Sequence, residues 1–354
     1  MKKVFPMGAV FLAILFAAMP QVASNAAREA LSLCAHTLIP SLFPFMVCAN
    51  VLLSLGVAEK TGRLFSSLTR KLFRVDGQGA AAVILGFISG YPAGAVVSAG
   101  LYRKGAISKS EAERLLGFTN NAGPLFILGA VGSMLYKSQA AGIVLYISVV
   151  LASLLTGVCM RFYASSDFYA PKQKRNQKND PMGDAVSTIL TLSGYVVFFA
   201  VMLAFLEKGG VLSVLCRMFR SFGMGNETAS LLSMGIFEIS TAAKKATGAL
   251  PAMAALLSFG GLSVLMQTAA VVKKAGLSLK PYILGKAISS VFAAAVCNLI
   301  LKFFPITLQT AALSKAQVYT EYLSAATAMA MGVYLVYRLL CKFCVRPLAQ
   351  KRKK

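Results

Sequence analysis

The sequence predicts an all-α polytopic membrane protein built from two inverted repeats, each containing a re-entrant helical hairpin and a broken transmembrane helix. Three observations lead to this prediction. The chain is 57% hydrophobic and 14% charged, with a mean hydropathy of +0.70. Glycine, proline, serine and asparagine interrupt several of its apolar runs at membrane depth, where a lipid-exposed helix should carry leucine, isoleucine and valine. The interrupted runs also occur twice in the same order, as in many secondary transporters.

The first apolar run, Val4–Met19, follows two lysines and precedes the small-residue stretch Ala23–Ala26. This pattern fits either a transmembrane helix with a cytoplasmic N-terminus or a cleaved signal peptide. A second apolar run begins almost at once, at about Ala30, and continues to about Leu55, which favours a transmembrane helix at 1–25. An amphipathic segment rich in arginine, Leu64–Phe73, then predicts an interfacial helix on the cytoplasmic face.

The first interrupted run covers 78–103 and is cut in the middle by Ser89-Gly-Tyr-Pro92. Each arm has about ten residues, or roughly 15 Å of helix, which is half the thickness of a bilayer. This length predicts a re-entrant hairpin, and a single kinked crossing is the alternative. Basic segments flank the run on both sides, and both can be cytoplasmic only if the chain turns back.

The second interrupted run, from about Glu113 to Leu135, is broken at Asn120-Asn-Ala-Gly-Pro124. Two adjacent amide side chains are costly in hydrocarbon unless they find polar partners. We therefore interpret Asn120 and Asn121 as the best candidates for ligand contacts. The alternative is that both amides satisfy the backbone groups at the broken helix ends. Upstream, Ser108 and Glu111 predict a capping box that begins this helix.

The second half of the chain repeats this plan. Gly86 aligns with Gly235 and Phe118 with Phe259, so that hairpin matches hairpin and broken span matches broken span. Each unit contains three full crossings, an odd number, so the second unit must be inverted relative to the first. The predicted organisation is a first transmembrane helix at 1–25, a first repeat at 26–163, a cytoplasmic linker at 164–183, an inverted second repeat at 184–305, and a final transmembrane helix with a basic tail at 306–354.

The distribution of basic residues supports this topology. With both hairpins re-entrant and a final span at 322–340, both termini are cytoplasmic, and 27 of the 36 lysines and arginines lie on the cytoplasmic side. That bias follows the positive-inside rule. The net charge of +24 therefore reflects membrane topology rather than nucleic-acid binding, because no basic groove with interleaved aromatic residues is present. The lipid bilayer is the expected partner of this surface.

Glu238 is the one acidic residue predicted at membrane depth, out of 12 in the chain. An intramembrane carboxylate is a candidate for coupling to Na⁺ or H⁺. The alternative is a structural ion pair with Lys244 or Lys245. The sequence contains no nucleotide-binding loop, nucleophile triad or metal-ligand cluster. We therefore expect neither an enzyme nor a bound cofactor or metal.

Three segments resemble the sporulation integral membrane protein YlbJ family, also called SpoVV. They are Gly-Phe-Ile-Ser-Gly-Tyr-Pro-Ala-Gly at 86–94, the run at 109–129 and Ser-Phe-Gly-Gly-Leu-Ser-Val-Leu-Met-Gln at 258–267. The resemblance implies a nucleoside-transporter Gate domain and a fold like that of the concentrative nucleoside transporters. It also implies the movement of dipicolinic acid across the outer forespore membrane during endospore formation. One departure is Ser240-Thr-Ala-Ala-Lys-Lys245, where the family pattern places a glycine soon after the glutamate.

A small organic anion suits this architecture, because half-helix N-termini that converge on one point favour negative charge. Alternatives are the transport of a nucleoside or another small solute, and a scaffold or channel component of spore maturation. A homo-oligomer or a complex with other spore membrane proteins is compatible with each. The predicted substrate-binding residues, with Glu238 as the ion-coupling candidate, are Ser89, Gly90, Tyr91, Asn120, Asn121, Ser240, Thr241 and Ser263.

Overall fold

The computed structural model describes residues 4–163, 180–245 and 249–306, and these residues form helices joined by short turns, with no strand among them. Two π-helical segments, Cys34–Leu38 and Leu125–Leu135, accompany the α-helices. The α-helices are α1 (Val4–Ala18), α2 (Pro20–Leu33), α3 (Ile39–Ser54), α4 (Val57–Phe73), α5 (Ala80–Ser89), α6 (Ala93–Arg103), α7 (Lys109–Thr119), α8 (Gln139–Met160), α9 (Pro181–Lys208), α10 (Val211–Ser221), α11 (Asn226–Gly235), α12 (Ile239–Lys245), α13 (Leu250–Phe259), α14 (Gly261–Lys274) and α15 (Lys280–Phe303).

Four helical segments in the described part of the chain are long and apolar enough to cross a membrane: Gln139–Met160, Pro181–Lys208, Leu250–Lys274 and Lys280–Phe303. Two sharply bent helix pairs bring the number of candidate spans to six. These features confirm an α-helical polytopic membrane protein. The predicted final span at 322–340 and most of the linker at 164–183 lie outside the described residues.

The N-terminal region differs from the prediction at one junction. The second span, expected from about Ala30, begins earlier, because α2 starts at Pro20 and continues through a π-helical segment into α3. Alanines at 23, 26, 27 and 30 explain the difference, since alanine has the highest helix propensity. The chain instead breaks at Met19, directly before Pro20, because proline fits the first turn of a helix but not its interior.

The first hairpin consists of α5 and α6, two short helices that pack against each other. The turn between them contains Gly90, whose φ of +80° favours glycine, and a cis Tyr91–Pro92 bond. Gly86 and Gly94 face each other across the turn, and both pack against the carbonyl oxygen of Thr119 at the end of α7. The predicted interruption is thus confirmed as two helical arms, whereas the depth of the hairpin in the membrane stays a prediction.

The first broken span is also present. α7 begins with the predicted capping box, in which Ser108 and Glu111 exchange side-chain and backbone hydrogen bonds. It ends at Thr119, and after the non-helical segment Asn120–Gly123 the chain resumes at Pro124 and continues as a π-helix from Leu125. The end of α7 therefore places Asn120 and Asn121 in the protein interior.

The second half has the same order of elements. α9 is a long helix, and α10 is short and amphipathic. α11 and α12 form the second hairpin and are separated by a break. α13 and α14 form the second broken span and are separated at Gly260, and α15 is again long. In both halves the hairpin contacts the broken span: Gly86 lies against Thr119, and the carbonyl of Gly235 lies against Gly261. This shared packing agrees with a duplicated plan, and the inversion of one unit relative to the other stays a prediction.

α4 has the character expected of a helix at the membrane surface. Its axis makes an angle of 92° with the following helix. It exposes an apolar stripe of Leu64, Leu68 and Leu72 beside Arg63 and Arg70, and Arg70 pairs with Asp76 at 2.7 Å. In the second half, α10 exposes Val211, Val214 and Met218.

The close contact in the first hairpin gives a test of the fold. A methyl group on Gly94 would lie 2.1 Å from the Thr119 carbonyl oxygen, whereas a methyl group on Gly100, in the same helix, meets nothing within 4 Å. We expect Gly94→Ala to destabilise the protein by about 1–3 kcal/mol because a backbone carbonyl cannot move away cheaply. Gly100→Ala should be neutral or stabilising by up to about 1 kcal/mol, since alanine favours the helix.

The measurement is thermal unfolding of the two purified variants in detergent, followed by circular dichroism. Equal melting temperatures would contradict the packing of α6 against α7.

Candidate functional site

Asn120 connects the broken span of the first half to the second half of the chain. Its side chain is fully buried, and its amide nitrogen donates to the Thr268 hydroxyl at 2.9 Å and to the Tyr282 hydroxyl at 3.4 Å. Thr268 belongs to α14 and Tyr282 to α15. Asn120 therefore links three helices at the level of the break.

Asn121 makes a second set of contacts in the same region. Its amide nitrogen donates to the Phe118 carbonyl at 2.7 Å and to the Ser153 hydroxyl at 2.8 Å, and its amide oxygen accepts a hydrogen bond from the Lys286 ammonium at 3.1 Å. The Phe118 contact satisfies a carbonyl at the end of α7, as the alternative interpretation of this residue predicts. Asn121 thus both closes the broken helix and orients a buried cation.

Lys286 was missed by the sequence analysis, which counted it with the cytoplasmic lysines. The structure places it two turns inside α15 with only 1% of its surface exposed. Its ammonium lies 5.9 Å from the centre of the Tyr282 ring. The one available signal was its position inside the apolar run from Tyr282 to Phe304. Because lysines near helix ends commonly extend to the membrane surface, that signal did not distinguish burial from snorkelling.

The tip of the first hairpin lies beside this cluster. Gly90 packs directly against Gly123 in the broken span, and Ser89 is buried at the end of α5. The Tyr91 hydroxyl is buried and has no hydrogen-bond partner in the described part of the chain. It lies within electrostatic range of Glu238 and the Tyr282 hydroxyl. The structure therefore brings the first hairpin, the break of the second hairpin and α15 towards one region.

Glu238 is buried, and its carboxylate accepts hydrogen bonds from the backbone N–H groups of Ser240, at 3.0 Å, and Thr241. It therefore caps the first turn of α12, a favourable position for a negative charge. The side chains of Lys244 and Lys245 lie outside the described set, so the predicted ion pair stays a prediction. Ser240 and Thr241 reach the site through their backbone N–H groups.

The backbone N–H groups at the N-terminus of α14 are also hydrogen-bonded. The Leu262 N–H donates to the Ile236 carbonyl at 2.8 Å, and the Ser263 N–H donates to the Phe237 carbonyl at 3.0 Å. The Ser263 hydroxyl accepts a hydrogen bond from the Gln267 side chain at 3.2 Å. The half-helix N-termini of α12 and α14 therefore do not present these N–H groups to an anion, because the break of the second hairpin already accepts their hydrogen bonds.

Several buried polar atoms in and around the cluster have no hydrogen-bond partner within the described ranges. Buried polar groups are normally paired, so such atoms mark positions where a polar ligand or water can bind. Asn120 and Gln267 each leave an amide oxygen unsatisfied, in addition to the Tyr91 hydroxyl. Two serine hydroxyls, on α13 and α15, complete this set: Ser258 and Ser289.

A cavity of about 440 Å³ lies between α2 and α9 and reaches Thr241 at the start of α12. Its polar lining includes Arg28, Glu29 and Ser32. Thr241 is the one predicted site residue among those that line it. The cavity therefore borders the helix that Glu238 caps.

Comparison with known proteins agrees with the resemblance found in the sequence motifs. The chain is 28% identical to the sporulation integral membrane protein YlbJ of Bacillus subtilis (strain 168), over 83% of this chain and 81% of that protein. The similarity to an integral membrane protein, together with the apolar helices, supports a multi-pass membrane protein, and it is consistent with a membrane role in sporulation. No family model matches the chain. No solved structure matches it either.

The role of the Glu238 carboxylate can be tested by replacing the residue with glutamine. Glu238→Gln removes the charge and replaces one acceptor oxygen with a donor that faces a backbone N–H. We expect a loss of about 1–3 kcal/mol of stability, since hydrogen bonds to a charged group are the stronger kind. Glu29→Gln, at an exposed position on α2, should melt as the wild type does.

Melting temperatures of both purified variants provide the measurement. A Glu238→Gln protein as stable as the wild type would mean that the carboxylate does not hold α12.

Proposed function

We propose that this protein transports a small organic anion across a membrane, with dipicolinic acid as its substrate and the outer forespore membrane as its location during sporulation. The observation that carries the proposal is the buried polar cluster at Asn120 and Asn121, where the two halves of the chain meet. Interrupted helices with polar residues at membrane depth serve substrate binding in secondary transporters. A membrane scaffold has no need to bury such groups.

The proposal includes the predicted topology. Both termini are cytoplasmic, the two repeats are inverted, and the fold is that of a Gate domain like the concentrative nucleoside transporters. The excess of basic residues on the predicted cytoplasmic side supports this orientation. The shared contact between hairpin and broken span in each half supports the duplication.

Coupling to Na⁺ or H⁺ is part of the proposal, and Glu238 is the candidate residue. Its carboxylate holds the first turn of α12 through two backbone N–H groups. Protonation or cation binding at this carboxylate would weaken those hydrogen bonds and release the helix. Ion binding and movement of the second hairpin would then be linked through one side chain. No bound cofactor and no enzymatic reaction is proposed.

The decisive experiment is uptake of labelled dipicolinate into proteoliposomes that contain the purified protein, with nucleosides as competitors and with Na⁺ and H⁺ gradients varied. We expect saturable uptake that nucleosides do not reduce. Competition by nucleosides would favour a nucleoside transporter. Absence of uptake by correctly inserted protein would favour a scaffold or channel component of spore maturation.

The asparagine pair gives a residue-level prediction. Asn120→Ala and Asn121→Ala should each reduce dipicolinate uptake at least about tenfold, because each leaves buried partners unsatisfied at the proposed site. Asn25→Ala, at an exposed position on α2, should transport as the wild type does. Membrane levels of all three variants are compared by immunoblot. Normal uptake by both site variants at normal membrane levels would show that Asn120 and Asn121 do not contribute to the substrate site.

A further inference from the structure

The buried charges of this protein differ in how they are compensated. Glu111 accepts hydrogen bonds from the backbone N–H groups of Asp76 and Ser108, and Glu238 accepts two in the same way. Lys286 is different. Among the described residues its one hydrogen-bond acceptor is the neutral amide oxygen of Asn121, and no described carboxylate forms an ion pair with it.

An ammonium group carries three N–H donors and is strongly hydrated in water, so burial against neutral partners alone is costly. Charged side chains at such positions in membrane proteins commonly mark substrate or ion pathways. A carboxylate is the partner that would offset this cost most effectively, through a charge-assisted hydrogen bond. The unpaired cation therefore points to an anionic ligand.

The residues around Lys286 further restrict the chemical class of the ligand. The buried ring of Tyr282 lies beside the ammonium, so the aromatic ring of an acid bound to Lys286 would lie near an aromatic side chain. Asn121 holds the ammonium through its amide oxygen, and the buried Ser289 hydroxyl, one turn further along α15, has no partner within the described ranges. These neighbours suit a small planar carboxylate better than a sugar.

The position of Lys286 is fixed by the backbone. Gly285, the preceding residue, packs so closely on Gly117 that a methyl group there would lie 2.1 Å from the Gly117 carbonyl oxygen. Gly117 lies one helical turn before Asn121. The contact of α7 with α15 thus sets Lys286 beside the break of the first span and leaves little freedom for its side chain to reach the membrane surface.

We propose that Lys286 is the residue that recognises the carboxylate of the transported anion, with Asn121 orienting its ammonium and Tyr282 lining the place of an aromatic ring. This inference rests on the proposed transport function and adds its selectivity: the protein selects carboxylates and rejects neutral analogues of the same shape.

The test is equilibrium binding to the purified full-length protein in detergent, measured by isothermal titration calorimetry. The probes are dipicolinate and pyridine-2,6-dicarboxamide, which has the same planar shape without charge. The variants are Lys286→Gln and, as a matched control, Lys280→Gln, an exposed lysine on the same helix. We expect the wild type and Lys280→Gln to bind dipicolinate, the dicarboxamide to bind at least about tenfold more weakly, and Lys286→Gln to lose at least about tenfold in affinity for dipicolinate.

Failure of this inference is distinguishable from failure of the proposed function. Equal binding of dipicolinate by Lys286→Gln and the wild type would overturn the role of Lys286, even if the wild type transports dipicolinate. Lys286-dependent binding without uptake in proteoliposomes would support the anion site and contradict transport. If Lys286→Gln does not fold, binding to the wild-type protein alone tests the proposal. Equal affinity of the wild type for dipicolinate and for the dicarboxamide would overturn it, and so would the absence of dipicolinate binding.

Discussion

The structure depends on one constraint: backbone and side-chain polar groups inside a membrane must find partners within the protein. Each break in a helix creates such groups, and here the partners come largely from elsewhere in the chain. Asn120 donates to Thr268, and Asn121 accepts from Lys286, contacts that span 148 and 165 residues. The break at Asn120 and Asn121 is therefore satisfied in part by the second half, whereas the breaks of the second half use Glu238 and their own backbone carbonyls.

The same constraint explains what the sequence could predict. Apolar runs of sufficient length identify membrane helices, and glycine, proline or asparagine within a run identifies a break, because each acts through local backbone geometry. The hairpin turn at Gly90, the capping box at Ser108 and the interruption at Asn120 all follow from such local rules. The second span begins earlier than expected, at Pro20, because the high helix propensity of the alanines extends α2 towards the N-terminus.

Partners across the fold could not be predicted in this way. No local pattern connects Lys286 with Asn121, and the same lysine at the same distance from a helix end is commonly found at the membrane surface. Its burial is decided by the contact of Gly285 with Gly117, which exists only once α7 and α15 have packed. The N–H groups at the starts of α12 and α14 are not free to bind an anion for a related reason, since the Glu238 carboxylate and carbonyls at the break of the second hairpin accept their hydrogen bonds.

These contacts also define the state that the structure represents. The Lys286 ammonium is enclosed, the hairpin tip at Gly90 lies on Gly123, and the N–H groups of α12 are held by Glu238. In the proposed transport cycle, an anion that reaches Lys286 needs space that this packing does not leave, and we expect a short helix at one of the breaks to move. α12 is well suited to move, because one carboxylate holds its first turn and it borders the open cavity at Thr241. Short helices held by few hydrogen bonds open at a lower cost than the long spans around them.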